Sequence, residues 1–400
     1  MLLPLDNRPR DYAWGSRSAL PEFRGLEPDG SPQAELWFGS HPGSPALLRT
    51  PEGEVELSSW LHEHPQPRLR ADGELPFLLK LLAAAEPLSI QVHPTAEQAA
   101  AGHARESASG LPADHPQRSY RDQHHKPELL YALSTRFHAL AGFRPVAEAR
   151  RVLDALLGAL AGRAEAAVLG EFLSRLDPSR EEESRRGALE WLFGQADAAR
   201  LTEALEQAVQ AHGSRGRPEL ATIARLARRH PADPGVGMAL LLNRVVLRRG
   251  QAMFLPAGVP HSYLEGLGVE LMAASDNVVR GGLTRKAVDV PELLAIVDLR
   301  TTPVPLLKPE RHGQGVQRYR PGIPDFVLYH AAVDPLQDAV VRLSGSAIVL
   351  AVAGTVQVDG ARDRLRLSQG QAAFATEDEG PLSIRGNGEA FVAMAGEEQP

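Results

Sequence analysis

Pro87-Leu88-Ser89-Ile90-Gln91-Val92-His93-Pro94-Thr95-Ala96-Glu97-Gln98-Ala99-Ala100 is the stretch on which the reading of this chain turns. In Ile90-Gln91-Val92-His93 β-branched and polar residues alternate, the pattern of a strand with two unlike faces. Side chains two apart on a strand point the same way, so Ser89, Gln91 and His93 share a face. That face offers an amide oxygen and an imidazole nitrogen to one point. Pro94 ends the strand, and Thr95 caps a run of helix formers behind it. A polar face turned to water would look the same, so the argument needs a second stretch with matching chemistry.

The rest of the composition narrows the search. A chain of 400 residues, 43% apolar and 23% charged, is that of an ordinary globular protein with room for two or three domains. The net charge of −7 argues against nucleic acid as the main partner, while leaving room for a local basic site. No apolar run is long enough for a membrane span and the first residues have no signal-peptide pattern, so a soluble cytoplasmic protein is the expectation. A monomer is expected as well, although nothing in these residues fixes the oligomeric state. Cysteine is absent. Any metal must therefore sit among N and O ligands. Of the 43 basic residues only Lys80, Lys126, Lys286 and Lys308 are lysine. A chain that uses Arg for surface charge and keeps Lys at a few places suggests sites that need a compact, titratable ammonium.

Organisation follows from the pattern changes. Residues 1–144 carry short strand-like runs between turns, among them Glu35–Pro42, Phe77–Leu82 and Lys126–Leu133. Residues 145–233 shift to Ala, Leu, Glu and Arg; Leu201, Ala204, Leu205, Ala208 and Val209 form the apolar stripe of a helix, as do Leu153, Leu156 and Leu160. This segment reads as a helical insertion with solvated charged faces and no chemistry of its own. Strand signals resume over 234–302 and again, as a second small β-domain, over 303–400. The fold class is thus mainly β with an α-helical insertion. An internal echo joins the two β-regions. Leu247-Arg248-Arg249-Gly250-Gln251-Ala252-Met253-Phe254 is answered by Leu367-Ser368-Gln369-Gly370-Gln371-Ala372-Ala373-Phe374, but only the first copy runs on to Pro256, Gly258 and His261. A duplicated β-domain that kept one site is the reading.

Gly250 makes a turn that opens a strand, and Pro256 and Gly258 then shape a tight turn from which His261 enters the next strand facing inward. This element resembles the second signature of the cupin superfamily, whose members are double-stranded β-helix (jelly-roll) barrels with a metal near the mouth. Gln91 and His93 stand where that superfamily's first ligand pair stands. Glu128, preceded by His125-Lys126-Pro127, supplies an anion, although an exposed acid beside a strand is the plain alternative for it. Two imidazoles, an amide oxygen and one carboxylate suit a borderline divalent cation such as zinc. A shell with one negative charge leaves the ion positive enough to stabilise an oxyanion.

The likeness then sharpens. NRPRDYAWGS (7–16), AELWFGSHPGSP (34–45), PLSIQVHP (87–94), HKPELLYAL (125–133), PHSYLEG (260–266) and SDNVVRGGLTRK (275–286), in this order, resemble the type I mannose-6-phosphate isomerases. Residues 5–145 and 235–300 carry the resemblance, and the helical insertion and C-terminal β-domain fit the family's three-domain plan. It implies a cupin catalytic barrel, a degenerate second cupin-like domain without a metal site, one Zn2+, and reversible conversion of mannose 6-phosphate to fructose 6-phosphate. It also implies Gln91, His93, Glu128 and His261 as metal ligands and Arg280 as a catalytic residue. Arg285 replaces an expected Pro and Leu129 an expected Met; neither is a proposed ligand.

Aldose–ketose isomerisation moves a proton between two carbons through an enediol or enediolate, so it needs an electrophile, a base and a grip on the phosphate. Arg280 is expected beside the developing negative oxygen. Ser89, Lys80, Lys126 and Lys286 are the expected phosphate donors. Lys126 and Glu270, together with a His or a metal-bound water, are the candidate bases. Trp14 and Glu35 are expected in the wall or behind it, and Asp276 is expected near substrate, orienting Arg280. A non-catalytic sugar-phosphate-binding cupin is the alternative function. A cupin dioxygenase would leave the lysines unexplained, and no Gly-rich nucleotide segment supports a bifunctional type II enzyme.

Overall fold

The computed structural model describes residues 1–112 and 114–396. Antiparallel sheets dominate, and six helices lie between Val146 and Leu241. Among the described residues no helix is long and apolar enough to cross a membrane.

A ten-stranded sheet is built around His261–Ala273. The start of this strand pairs with Gln91–Val92 and Arg136–Phe143; its far half pairs with Phe77–Ala84 and Glu128–Ala132. The change of partners coincides with a register shift between Tyr263 and Glu265, followed by Gly266 at φ 139°. A Cβ there would lie 2.6 Å from the Phe137 ring, so both conformation and space require glycine. Phe77–Ala84 and Glu128–Ala132 are buried throughout, as continuous apolar runs predict. Regular pairing near the opening stretch covers only Gln91–Val92. His93 leaves the ladder because its carbonyl accepts the Gly258 N–H at 2.8 Å, which docks the Pro-Gly turn directly on it. Thr95 forms a full capping box with Gln98 and opens Ala96–Ala108.

The helical segment begins at Val146–Ala159 and closes with Gly235–Leu241. In Ala198–His212 the five stripe residues named above are all buried. They face a core that reaches Ile90 and Val92 behind the Gln91 strand.

The second, eleven-stranded sheet holds most of the C-terminal region, and Leu2–Asp6, Leu47–Thr50 and Gly53–Glu56 join it from the N-terminal part. The sequence echo is structural. Gly250 (φ 91°) and Gly370 (φ 82°) occupy matching turns. The Gln251 side chain accepts from Arg248 N–H and that of Gln371 from Ser368 N–H, both at 2.8 Å. Glu128 pairs with Leu255 and Met272, as Ala347 pairs with Ala375 and Met394. Gln91 pairs with His261, as Val341 pairs with Leu382. Leu343 stands two residues on, in the place of His93. All four corresponding positions are apolar. One apolar cluster spans both sheets, bringing Leu79, Tyr131 and Val269 together with Tyr319, Phe374 and Phe391.

Candidate metal centre and cavity

His93, Glu128 and His261 converge with one ligand atom each inside a 4.8 Å group, all three buried. The Nε2 atoms of His93 and His261 stand 3.1 and 3.2 Å from the two Glu128 carboxylate oxygens. Both rings are turned the same way. His93 Nδ1 lies 2.8 Å from the Asn277 carbonyl and His261 Nδ1 lies 3.0 Å from the Val259 carbonyl. A ring that donates through Nδ1 presents a lone pair at Nε2, the tautomer a metal ligand needs. Burial, helped by Lys126, pushes the His93 pKa down to about 4, so this ring is neutral near pH 7. Its Nε2 makes no hydrogen bond among the described residues, despite its closeness to the carboxylate. Lone pairs from two imidazoles and a carboxylate thus aim at one buried point. A divalent cation fits this donor set.

Gln91 lies beside these ligands. It is the cross-strand partner of His261 on one side and of Arg280 on the other, so all three side chains share a sheet face. A cavity of about 480 Å³ opens over this face. Its wall includes Trp14, Ser89, Gln91, Lys126, Arg280 and Lys286, with Lys80, Glu35 and Asp276 also exposed to it. The expected residues are therefore gathered, with differences in what they touch. Lys126 Nζ is 3.3 Å from Glu128 Oε1 and joins the cavity to the ligand carboxylate. Lys80 is buried and paired with Glu270 at 2.9 Å and Glu35 at 3.7 Å, over the Trp37 ring. Despite the cost of burial, these acids raise its pKa and fix it as an ammonium. As a phosphate ligand it would have to leave two carboxylates. Glu270 is buried behind Lys80 and does not line the cavity; burial raises its pKa against the pull of Lys80. Asp276 does not orient Arg280: its carboxylate faces His41 Nε2 at 3.5 Å.

Among the described residues Arg280 and Lys286 form no ion pair. Burial and the charge of Arg121 depress the Arg280 pKa, and Arg280 in turn depresses that of Lys286, followed by burial and Arg121. Arg280 and Lys286 on the cavity wall, with Arg121 near enough to repel both, make a place for an anion. Arg121 carried no signal in the sequence. Asn277 lay inside the 275–286 motif but was given no role there; its side chain accepts from Arg121 and Asp122 N–H and donates to the Asp122 and His124 carbonyls. Tyr263, whose hydroxyl donates to Glu128 Oε2 at 3.1 Å, was within reach of the alternation rule, two residues beyond His261 on the same strand.

Fold and site together define a mainly antiparallel β-protein with a buried His-Glu-His centre beneath a cationic cavity, the build of an N/O-ligated metalloenzyme. The family model described as phosphomannose isomerase type I, catalytic domain, matches residues 2–146. The mannose-6-phosphate isomerase of Escherichia coli (strain K12) is 37% identical over 96% of this chain and 97% of its own length. That of Homo sapiens is 32% identical over 89% of this chain and 88% of its own. A crystal structure of mannose 6-phosphate isomerase, holo and zinc bound, superposes with a TM-score of 0.89 at 34% identity, covering 99% of this chain and 100% of that one. The chain belongs to the type I phosphomannose isomerase family.

Proposed function

We propose that this chain interconverts mannose 6-phosphate and fructose 6-phosphate, with one zinc ion held by Gln91, His93, Glu128 and His261. As a family member it is an aldose–ketose isomerase. The observation that carries the reading is the cluster of buried lone pairs set behind Gln91 and Lys126 of a cavity whose wall also holds the unpaired cations Arg280 and Lys286. Such a cavity suits a substrate with a polarisable carbonyl at one end and a phosphate at the other.

When bound, zinc supplies Lewis-acid stabilisation to the oxygens between which charge moves. Arg280, fixed beside Gln91, adds a positive charge that needs no reorganisation as the enediolate develops. Lys286 and Arg121 grip the phosphate, with Ser89 offering a hydroxyl. Proton transfer between C1 and C2 falls to Lys126 rather than Glu270, since Lys126 reaches the cavity and Glu270 is sealed behind Lys80. Tyr263 and the Asn277 and Val259 carbonyls hold the ligands in orientation.

The wider architecture is proposed as a cupin barrel over 1–144 and 234–302, interrupted by a helical domain over 145–233. A cupin-like domain without a metal site follows over 303–400. The matched turns and apolar replacements Val341, Leu343, Ala347 and Leu382 support this division. We further propose a soluble cytoplasmic monomer whose partner is the sugar phosphate, neither nucleic acid nor a membrane. The deciding experiment is turnover of mannose 6-phosphate before chelation, after it, and with zinc returned. Activity should vanish and come back; turnover that survives complete metal removal refutes the proposal.

A further inference from the structure

We infer that Asp233, just before the last helix of the helical segment, is the positioning residue that presets the cationic loop for the phosphate. This inference rests on the isomerase reading above and adds a residue that touches no substrate. The loop after Arg280, Gly281-Gly282-Leu283-Thr284, lines the cavity through Leu283 and Thr284 and leads to Lys286. On one side it is tied to the strand before Gln91: Gly281 N–H donates to the Ile90 carbonyl at 2.8 Å, and Ile90 N–H donates to the Gly282 carbonyl at 3.0 Å. On the other side it meets Asp233. One carboxylate oxygen accepts Thr284 N–H at 2.9 Å and the other accepts Gly235 N–H at 2.8 Å, so a single side chain staples loop and helix.

The backbone around the staple supports a built contact. A Cβ on Gly282 would lie 2.4 Å from Gly235 Cα, and one on Gly235 would lie 2.6 Å from Gly282 Cα. The two chains touch backbone to backbone. Three non-glycine residues have positive φ among those described, and two flank this contact: Ala232 at 60° and Leu283 at 54°. Such conformations persist only where the surroundings over-determine them, and they gather at functional sites. Ala232 is held in turn by its N–H donating to the Thr202 hydroxyl at 3.1 Å. The helical segment therefore reaches the site after all, through a carboxylate that holds the frame of the loop while leaving its cations unpaired. Thr284 is held through its backbone N–H, and neither Arg280 nor Lys286 is neutralised.

The test is steady-state kinetics of zinc-loaded full-length enzyme carrying Asp233→Asn, with inorganic phosphate as competitive inhibitor. An Asn amide keeps the size but loses one of the two acceptors and the charge, so KM for mannose 6-phosphate and Ki for inorganic phosphate should both rise, by about tenfold. kcat and zinc content should stay within about twofold, because Arg280 and the ligands are also held from the Gln91 side. A merely structural role would lower the melting temperature or the active fraction and leave KM and the phosphate Ki of the surviving enzyme unchanged; that result overturns the inference. Lys286→Ala in parallel separates the two levels. If it raises the phosphate Ki and Asp233→Asn does not, only the positioning role falls; if neither does, the phosphate assignment itself falls. Should Asp233→Asn not fold, Thr202→Val releases Ala232, along with the hydroxyl's own bonds to the Ala198 and Ala199 carbonyls inside its helix, and is expected to move KM and phosphate Ki together, about two- to threefold, with failure to do so counting against the inference.

Discussion

At the scale of single residues, the site is a set of acceptors brought together without a proton to share. His93 and His261 spend their N–H groups on backbone carbonyls, and Glu128 is the common neighbour of both Nε2 atoms. Arg280 stands beside them with no carboxylate to quench it among the described residues. Replacing Arg280 with Ala should lower kcat at least a hundredfold, to order of magnitude, while metal analysis finds zinc retained. Loss of zinc together with activity would give Arg280 a structural task instead. The four proposed ligands were readable because two lie at strand spacing, one follows a Pro-Gly turn and one sits in a lysine-containing motif. Arg121 and Asp233 were not readable in the same way, nor was the role of Asn277 inside its motif. Each works through backbone groups or charges far away in sequence, and no local spacing announces a tertiary contact.

At the scale of elements, His261–Ala273 does the assembling. It starts at a ligand, carries Tyr263 toward Glu128, changes partners near Gly266, and ends by pairing Met272 with Glu128. Gly266→Ala would force a side chain onto φ 139° and against Phe137. A loss of about 1–3 kcal/mol in unfolding free energy is expected, measured by denaturant titration. Zinc affinity should fall with it, since both halves of the strand hold the centre; an unchanged midpoint would show that the bend is tolerant. The helices at 146–159 and 198–212 were legible from their stripes, and the Thr95 cap from its local pattern. The bend at Gly266 was not. Which partners a long strand takes depends on surfaces that only folding brings together.

At the scale of the molecule, the two β-regions are joined across the loop that leads to Lys126 and Glu128. His125 Nε2 meets both Asp325 carboxylate oxygens at 2.9 and 3.0 Å. The hydrogen bond to Asp325 raises the His125 pKa above its ordinary 6.5, against burial and with help from Glu97. A histidine pKa raised by folding adds stability fully present below that ordinary value and lost as pH climbs through the raised one. Asp325→Asn should therefore depress the melting temperature most near about pH 6, with the gap from the parent narrowing toward about pH 9. A gap that widens with pH would reverse the assignment.

The apolar cluster common to both sheets has a mechanical consequence. The matching positions Val341, Leu343, Ala347 and Leu382 offer no ligand atoms, yet cutting the second sheet away would leave Leu79, Tyr131 and Val269 facing water. That half serves as a covalently attached cover on its neighbour's oily back, and its worth is measured by what it keeps dry.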